Sequence, residues 1–154
     1  MSKKIGEYLA KYNQLHSECD ELYRDYATKI GLSDCAFWII YFLGEADNAP
    51  TQSEMVETIH IPKQTINSSL KKLEKDNFVR MEQENGKRGK RLFLTKNGEK
   101  LFNNSISPII KAEARACKTM TDEEMTIFLD IFSKYAQALK KELCCVTRDD
   151  TNNV

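Results

Sequence analysis

Two short helices separated by a tight turn are predicted between Thr51 and Asn77, and this pairing constrains the fold more than any other feature of the chain. Thr51 and Glu54 stand in the capping-box pattern, which predicts a helix running to about residue 60. Pro62 suits the first turn of the next helix, because its missing N–H would be unpaired there in any case. Apolar residues at helical spacing define the inward face of that second helix, and they are Ile66, Leu70 and Leu73.

A β-hairpin is predicted directly after these helices. Residues 78–84 and 90–94 alternate well enough between apolar and polar types to form two short strands, and a basic, glycine-bearing turn over residues 85–89 joins them. A short helix, a tight turn, a second helix and a basic hairpin, in this order, make up a winged helix-turn-helix. The second helix of such a unit lies in the major groove of DNA and offers its outer face to base edges.

Two helices are predicted before this unit. Residues 5–30 carry apolar side chains at intervals of three and four, and Gly31 follows as a stop signal. Ser33 then caps a second helix over residues 34–45. This second helix is apolar nearly all round, which predicts that it is buried in the middle of the fold.

Two more helices are predicted after the hairpin. Thr95 opens one that runs to about residue 118 with a bend near Pro108, and a second capping box at Thr121 opens the last helix. Residues 148–154 are polar and are predicted to be a disordered tail. The predicted fold is mainly α with a small β-hairpin wing.

The chain is predicted to form a winged helix-turn-helix DNA-binding lobe and a helical dimerisation lobe. The first comprises residues 33–95, and the second comprises residues 1–32 and 96–147. The terminal helices carry more large apolar residues than one small domain readily covers, which favours a homodimer. No apolar run is long enough to cross a bilayer and the start of the chain lacks a signal-peptide core, so we expect a cytoplasmic protein with no membrane contact.

The charge distribution favours a local contact with a polyanion. The whole chain has a formal net charge of zero, but residues 62–100 contain eleven basic and five acidic residues. A basic middle between acidic flanks is the electrostatic signature of nucleic-acid binding. A charged face that merely meets solvent is the alternative interpretation of the same residues.

The candidate DNA contacts lie on the second helix of the helix-turn-helix and on the wing. Gln and Asn can bond adenine bidentately, Ser and Thr can bond several bases, and flexible lysines suit phosphates. Arginine is favoured in a narrow minor groove. The candidates on the helix are Lys63, Gln64, Thr65, Asn67, Ser68, Lys71, Lys72 and Lys75, and those on the wing are Lys87, Arg88, Lys90 and Arg91.

Three short motifs in this order resemble the MarR family of transcriptional regulators. They are Thr65-Ile66-Asn67 with Leu70, the run from Leu73 to Arg80, and the run from Leu92 to Gly98 that closes the wing as Leu-Thr-x-x-Gly. The resemblance implies a homodimer that acts as a repressor and binds double-stranded DNA at a palindromic operator. Two positions depart from the family pattern. Asn77 replaces the usual glycine, and the wing tip lacks the aspartate that commonly pairs with arginines.

The resemblance also implies a small phenolic or lipophilic effector bound between the dimerisation helices and the DNA-binding lobe. The candidate effector pocket is lined by His16, Tyr23, Trp38 and Tyr41, although aromatic residues on apolar helix faces more often belong to ordinary core. Cys19 could resemble an oxidant-sensing thiol, but a buried, inert thiol is the favoured interpretation.

Other functions find little support in the sequence. The five cysteines are irregularly spaced and the two histidines stand far apart, so we expect neither a metal site nor a cofactor. No glycine-rich phosphate loop and no set of catalytic residues is recognisable, so we predict no enzymatic activity and no catalytic residues. The alternative function is a winged-helix module that binds protein or RNA without specificity for duplex DNA.

Overall fold

The computed structural model describes residues 2–83 and 89–149 of the chain. The helices and strands before the wing tip are α1 (Lys3–Lys29), α2 (Asp34–Glu45), α3 (Gln52–Ile59), α4 (Lys63–Lys75) and β1 (Val79–Gln83). Those that follow are β2 (Lys90–Leu94), α5 (Lys96–Leu101), a π-helical segment (Phe102–Ile106), α6 (Ser107–Cys117) and α7 (Asp122–Asp149). This mainly helical chain with a two-stranded wing confirms the predicted fold class.

The chain divides into two compact units, one ending at Ile109 and the other beginning at Ile110. The first unit contains α1 and α5 together with the helix-turn-helix and the wing. This boundary differs from the predicted lobes, because α1 packs against α2 within the same unit. The assignment of one lobe to DNA binding and the other to dimerisation stays a prediction, because dimerisation involves a second chain.

The central helix of the first unit is α2, as its apolar composition predicts. Its buried side chains are Cys35, Ala36, Phe37, Ile39, Ile40 and Leu43. Helices α1, α3 and α4 and strand β2 all contact it. Ser33 caps its first turn by accepting a hydrogen bond from the N–H of Ala36 at 3.3 Å. Ahead of this cap, Gly31 has a φ of +77°, which ends α1 in the conformation that glycine adopts at least cost.

The predicted capping box of α3 is present with both of its hydrogen bonds. The N–H of Glu54 donates to Thr51 Oγ1 at 3.3 Å, and the N–H of Thr51 donates to Glu54 Oε2 at 2.6 Å. The backbone hydrogen bond from Thr51 holds the pKa of the Glu54 carboxyl below its usual value, because it favours the charged form. Pro62 was predicted to lie in the first turn of α4. It is instead the N-cap residue, immediately before the helix.

The wing is fastened to the end of α4 by a group of short contacts. Asn77 has a φ of +58°, so it adopts the left-handed conformation that glycine would otherwise provide. The Thr95 hydroxyl donates to the Asn77 carbonyl at 2.6 Å, and the Thr95 N–H donates to the Phe78 carbonyl at 3.0 Å. Gly98 is buried against that same Phe78 carbonyl, where a Cβ atom would collide with the oxygen. The Leu-Thr-x-x-Gly motif is therefore a clamp between α5 and the start of β1.

The helix predicted over residues 95–118 is interrupted at the predicted place. The Ser107 N–H donates to the Phe102 carbonyl five residues back, and Pro108 follows with no N–H to donate. The Tyr26 hydroxyl of α1 donates to the Ser105 carbonyl at 2.9 Å, which ties this irregular segment to α1. The interruption is a π-helical segment rather than a simple bend.

The C-terminal helix extends further than predicted. The capping box at Thr121 is present, and α7 continues through Asp149, so two residues of the predicted tail are helical. The remainder of that predicted tail, residues 150–154, lies outside the described residues.

Gly98→Ala tests the clamp. We expect the added methyl group to lower the free energy of unfolding by about 1–3 kcal/mol, because it overpacks a backbone contact that cannot move freely. Urea denaturation followed by circular dichroism measures the change. Asn97→Ala, at an exposed position beside Gly98, is the control and should change stability by less than about 0.5 kcal/mol. Equal stability of both variants would show that the contact with Phe78 is not close.

Candidate nucleic-acid interface

Helix α4 has one buried stripe and a broad exposed polar face. Ile66, Leu70 and Leu73 are 0%, 1% and 2% exposed, which confirms the predicted inward face. The other sides of the helix present a run of donors and cations to solvent. Seven of the predicted DNA-contact residues are exposed there, namely Lys63, Gln64, Thr65, Ser68, Lys71, Lys72 and Lys75.

Asn67 occupies a different environment from the other candidates on α4. Its side chain is half-buried, and its Oδ1 atom is inaccessible to solvent with no hydrogen-bond partner among the residues that the structure describes. A base contact through Oδ1 would require this side chain to rotate outward. Gln64 and Thr65, one turn nearer the start of α4, are already exposed, so they are better placed to contact a base.

Lysines stand near both ends of α4, with Lys63 at its first position. Its first turn contains no acidic residue, and its last turn contains Lys72 and Lys75. Cations near a helix C-terminus interact favourably with the helix dipole, so these two lysines also stabilise α4 itself. Ser68 donates its hydroxyl to the Gln64 carbonyl at 2.9 Å, which leaves its oxygen lone pairs to accept from a ligand.

Arg91, which was predicted as a DNA contact on the wing, makes a hydrogen bond within the protein. It is half-buried, and its Nη1 donates to the Ala49 carbonyl at 2.6 Å. Next to it, the Leu92 N–H donates to the Pro50 carbonyl at 2.8 Å, and Arg91 forms an isolated β-bridge with Thr51. Arg91 therefore joins the wing to the segment before α3. Lys90 is exposed, while Lys87 and Arg88 lie outside the described residues.

A second wing contact, at Arg80, was not anticipated. Arg80 and Phe93 are directly opposite in the register of β1 and β2, and the guanidinium lies over the ring at 4.4 Å from its centroid. Arg80 also forms an ion pair with Glu82, two residues along on the same face of the strand. This pair, within one strand, supplies an arginine–carboxylate contact in a wing whose tip lacks the family's usual aspartate. Its sequence signal was the Arg-x-Glu spacing in an alternating strand.

The structure brings together three of the four predicted effector-pocket residues. Tyr23 and Trp38 have ring centroids 4.9 Å apart, and Trp38 and Tyr41 have ring centroids 5.4 Å apart. His16 is exposed further up α1, where its Nδ1 lies 3.3 Å from Asp20 Oδ2. A cleft beside Trp38 opens toward α3 and is lined by none of the other three predicted side chains.

The cysteines fall into two environments. Cys35 is buried in α2, and burial raises the pKa of its thiol, with a smaller opposing effect from a hydrogen bond to Ser69. Cys19 is exposed on α1 in the single chain, contrary to the expectation of a buried thiol, because it lies on the outer side of a helix that buries only Ala27. Cys117, Cys144 and Cys145 are exposed as well.

The described residues offer neither a cluster of metal ligands nor a membrane-spanning helix. Within residues 2–83 and 89–149, no three His, Cys, Asp or Glu side chains are grouped so that they could hold a metal ion. In the same part of the chain, no helix combines the length and the apolar content needed to span a bilayer.

The helix pair α3–α4 and the wing form a winged helix-turn-helix, and α4 presents its polar face to solvent. Residues 30–89 match the sequence profile of the MarR family. This match confirms the resemblance to MarR family transcriptional regulators that the three motifs carry. Members of this family are DNA-binding regulators and not enzymes, in agreement with the predicted lack of enzymatic activity.

Similar proteins come from several bacteria. The uncharacterized HTH-type transcriptional regulator YwoH of Bacillus subtilis is 25% identical over 100 residues, which cover 65% of this chain and 73% of that protein. The structure of NMB1585, a MarR family regulator from Neisseria meningitidis, superposes with a TM-score of 0.75 at 19% identity and covers 88% of this chain and 96% of its own. A putative MarR family regulator from Listeria monocytogenes, complexed with 26mer DNA, gives a TM-score of 0.70 at 22% identity and covers 91% and 93%.

Arg91→Ala tests whether this residue supports the wing. We expect the variant to lose about 1.5–3 kcal/mol of unfolding free energy in the absence of DNA, because a charge-assisted hydrogen bond to the Ala49 carbonyl is removed. Lys90→Ala, the exposed neighbour, should lose less than about 0.5 kcal/mol. Thermal denaturation of both variants without DNA measures the difference. If the two variants were equally stable, Arg91 would have no structural role in the wing.

Proposed function

We propose that this protein is a transcriptional repressor that binds a palindromic operator as a homodimer. The observation that carries the proposal is the division of α4 into one buried apolar stripe and an exposed face of amides, hydroxyls and lysines. A helix of this kind, held by a helix-turn-helix, fits the major groove with its N-terminal residues toward the bases. The Listeria regulator of similar fold, which is complexed with 26mer DNA, supports DNA as the ligand.

We assign different roles to the two ends of α4. Gln64 and Thr65 lie in its first turn and are exposed, so they are the proposed base-reading residues. Lys71, Lys72 and Lys75 lie further along the helix and are the proposed phosphate contacts, since flexible ammonium groups suit point contacts with the backbone. Lys63, Ser68 and the exposed Lys90 of the wing extend this surface.

The proposed dimer rests on apolar side chains that a single chain leaves exposed. On α1 these include Ile5, Tyr8, Leu15 and Leu22, and on α7 they include Phe128, Phe132, Leu139 and Leu143. Phe128 and Phe132 stack with centroids 5.9 Å apart, so they form a continuous aromatic surface on α7. An exposed surface of this kind on a soluble domain marks an interface. A second copy of the chain is the proposed partner, because a two-fold dimer would match a palindromic site.

A small phenolic or lipophilic effector that releases the protein from DNA is part of the proposal. The cluster of Tyr23, Trp38 and Tyr41 at the contact of α1 and α2 supports it, because all three side chains are half-buried and aromatic. A ligand that binds only one conformation of the dimer would shift its DNA affinity.

A regulator of chromosomal DNA acts where that DNA is, which in bacteria is the cytoplasm.

Gln64→Ala and Lys71→Ala separate base reading from backbone anchoring. We expect Gln64→Ala to weaken binding to the operator by about 1–3 kcal/mol per half-site and to leave binding to scrambled DNA unchanged. Lys71→Ala should weaken binding to both duplexes and lower the salt slope by about one unit for each phosphate that is no longer neutralised. Fluorescence anisotropy titrations on both duplexes at several salt concentrations measure these effects.

Glu57→Gln on α3 is the control for general damage to the helix-turn-helix, because Glu57 is exposed outside α4. Uniform loss of affinity on both duplexes for both α4 variants would contradict the assigned roles. Retention on RNA or heparin with no preference for any duplex sequence would instead favour an interaction module that lacks operator specificity.

Phe132→Glu tests the dimer. The wild-type chain should scatter light at about twice the monomer mass of 17.8 kDa at micromolar concentration. The variant should dissociate or unfold, because the charge would have to be buried without a partner. Lys134→Glu, an exposed polar position on the same helix, should remain dimeric. A wild-type mass equal to that of the monomer would contradict the proposal directly.

A further inference from the structure

A cleft of about 520 Å³ lies between the wing and the end of α2. Its apolar walls include Leu43 of α2, Leu92 and Leu94 of β2, and Phe102 of the π-helical segment. The volume is within the range of about 300–1,000 Å³ that small-molecule sites occupy. The lining residues all belong to the first compact unit, so the cleft is formed within a single chain. It shares no residue with the aromatic cluster of Tyr23, Trp38 and Tyr41.

The acidic and basic side chains that line the cleft do not neutralise one another. Asp47 and Glu99 line it and are exposed, and neither forms an ion pair or a side-chain hydrogen bond within the described parts of the chain. The cation that lines the cleft, Arg80, is engaged elsewhere, because it pairs with Glu82 and lies over the ring of Phe93. The cleft therefore offers two carboxylates that have no ion-pair partner among the described residues, together with apolar walls.

We propose that this cleft binds an organic cation with an apolar body, such as a primary alkylamine that carries an aromatic ring. An ammonium group has three N–H donors and no acceptor, so it suits carboxylates such as Asp47 and Glu99. The amide of Asn103, which also lines the cleft, offers a further acceptor oxygen. The hydrocarbon part would cover Leu94 and Phe102, which are half-buried, and its burial supplies the apolar share of the affinity. An organic anion would instead meet two carboxylates of its own sign.

The test uses the full chain and two probes of nearly equal shape, 4-phenylbutylamine and 4-phenylbutyrate. We expect the amine to shift the methyl NMR signals of Leu43, Leu92 and Leu94 in a saturable way. The carboxylate probe should bind at least about tenfold more weakly, since repulsion replaces attraction at two positions. Raising the salt concentration should weaken binding of the amine and make the difference between the probes smaller. These measurements need no DNA, so they succeed or fail independently of the proposed regulatory function.

Two variants locate the site. Asp47→Asn and Glu99→Gln should each raise the dissociation constant of the amine about threefold to fivefold, and the double variant about tenfold or more. Both residues are exposed, so the variants should fold, which circular dichroism verifies. Glu57→Gln, which changes an acidic residue outside the cleft, should bind the amine as the wild type does. Equal binding of the two probes, unchanged amine binding in the double variant, or no binding at millimolar amine would each overturn the proposal.

Discussion

The packing of α4 against α2 is the interaction on which the rest of this structure depends. Ile66, Leu70 and Leu73 are buried almost completely, and full burial of each such side chain is worth about 1.5–3 kcal/mol. Because this stripe fixes the rotation of α4 about its axis, it also decides which residues meet solvent. The proposed DNA-reading surface is thus a consequence of core packing, and no separate device is needed to orient it.

The same core positions the wing. The chain leaves α4 through Asn77, which adopts the left-handed conformation. The hydrogen bond from the Thr95 hydroxyl to the Asn77 carbonyl and the close approach of Gly98 to the Phe78 carbonyl hold α5 against the start of β1. Arg91 then ties β2 to the Ala49 carbonyl before α3. Side-chain hydrogen bonds to backbone carbonyls and one close backbone approach therefore hold the wing against the segments that flank the helix-turn-helix, and a precise binding surface needs such support.

Much of this arrangement was predictable because local signals agreed with one another. The capping boxes at Thr51 and Thr121, the stop at Gly31 and the apolar stripe of α4 each specify structure within a few residues, and each is present. The environments of Asn67 and Arg91 were not predictable from local signals. The partial burial of Asn67 follows from tertiary packing, and Arg91 donates to a carbonyl distant in sequence. An arginine beside a hairpin tip is a natural candidate for a DNA contact. Nothing in the sequence indicates that it donates to the Ala49 carbonyl, 42 residues away. The cleft at Asp47 and Glu99 could not be foreseen for the same reason.

The most direct test of the account is a selection of bound duplexes from random DNA by the purified protein. The account predicts enrichment of an inverted repeat whose half-site centres lie about 10 base pairs, or roughly 34 Å, apart, because two copies of α4 must enter successive major grooves. Recovery of duplexes without an inverted repeat, or of no preferred sequence at all, would contradict it.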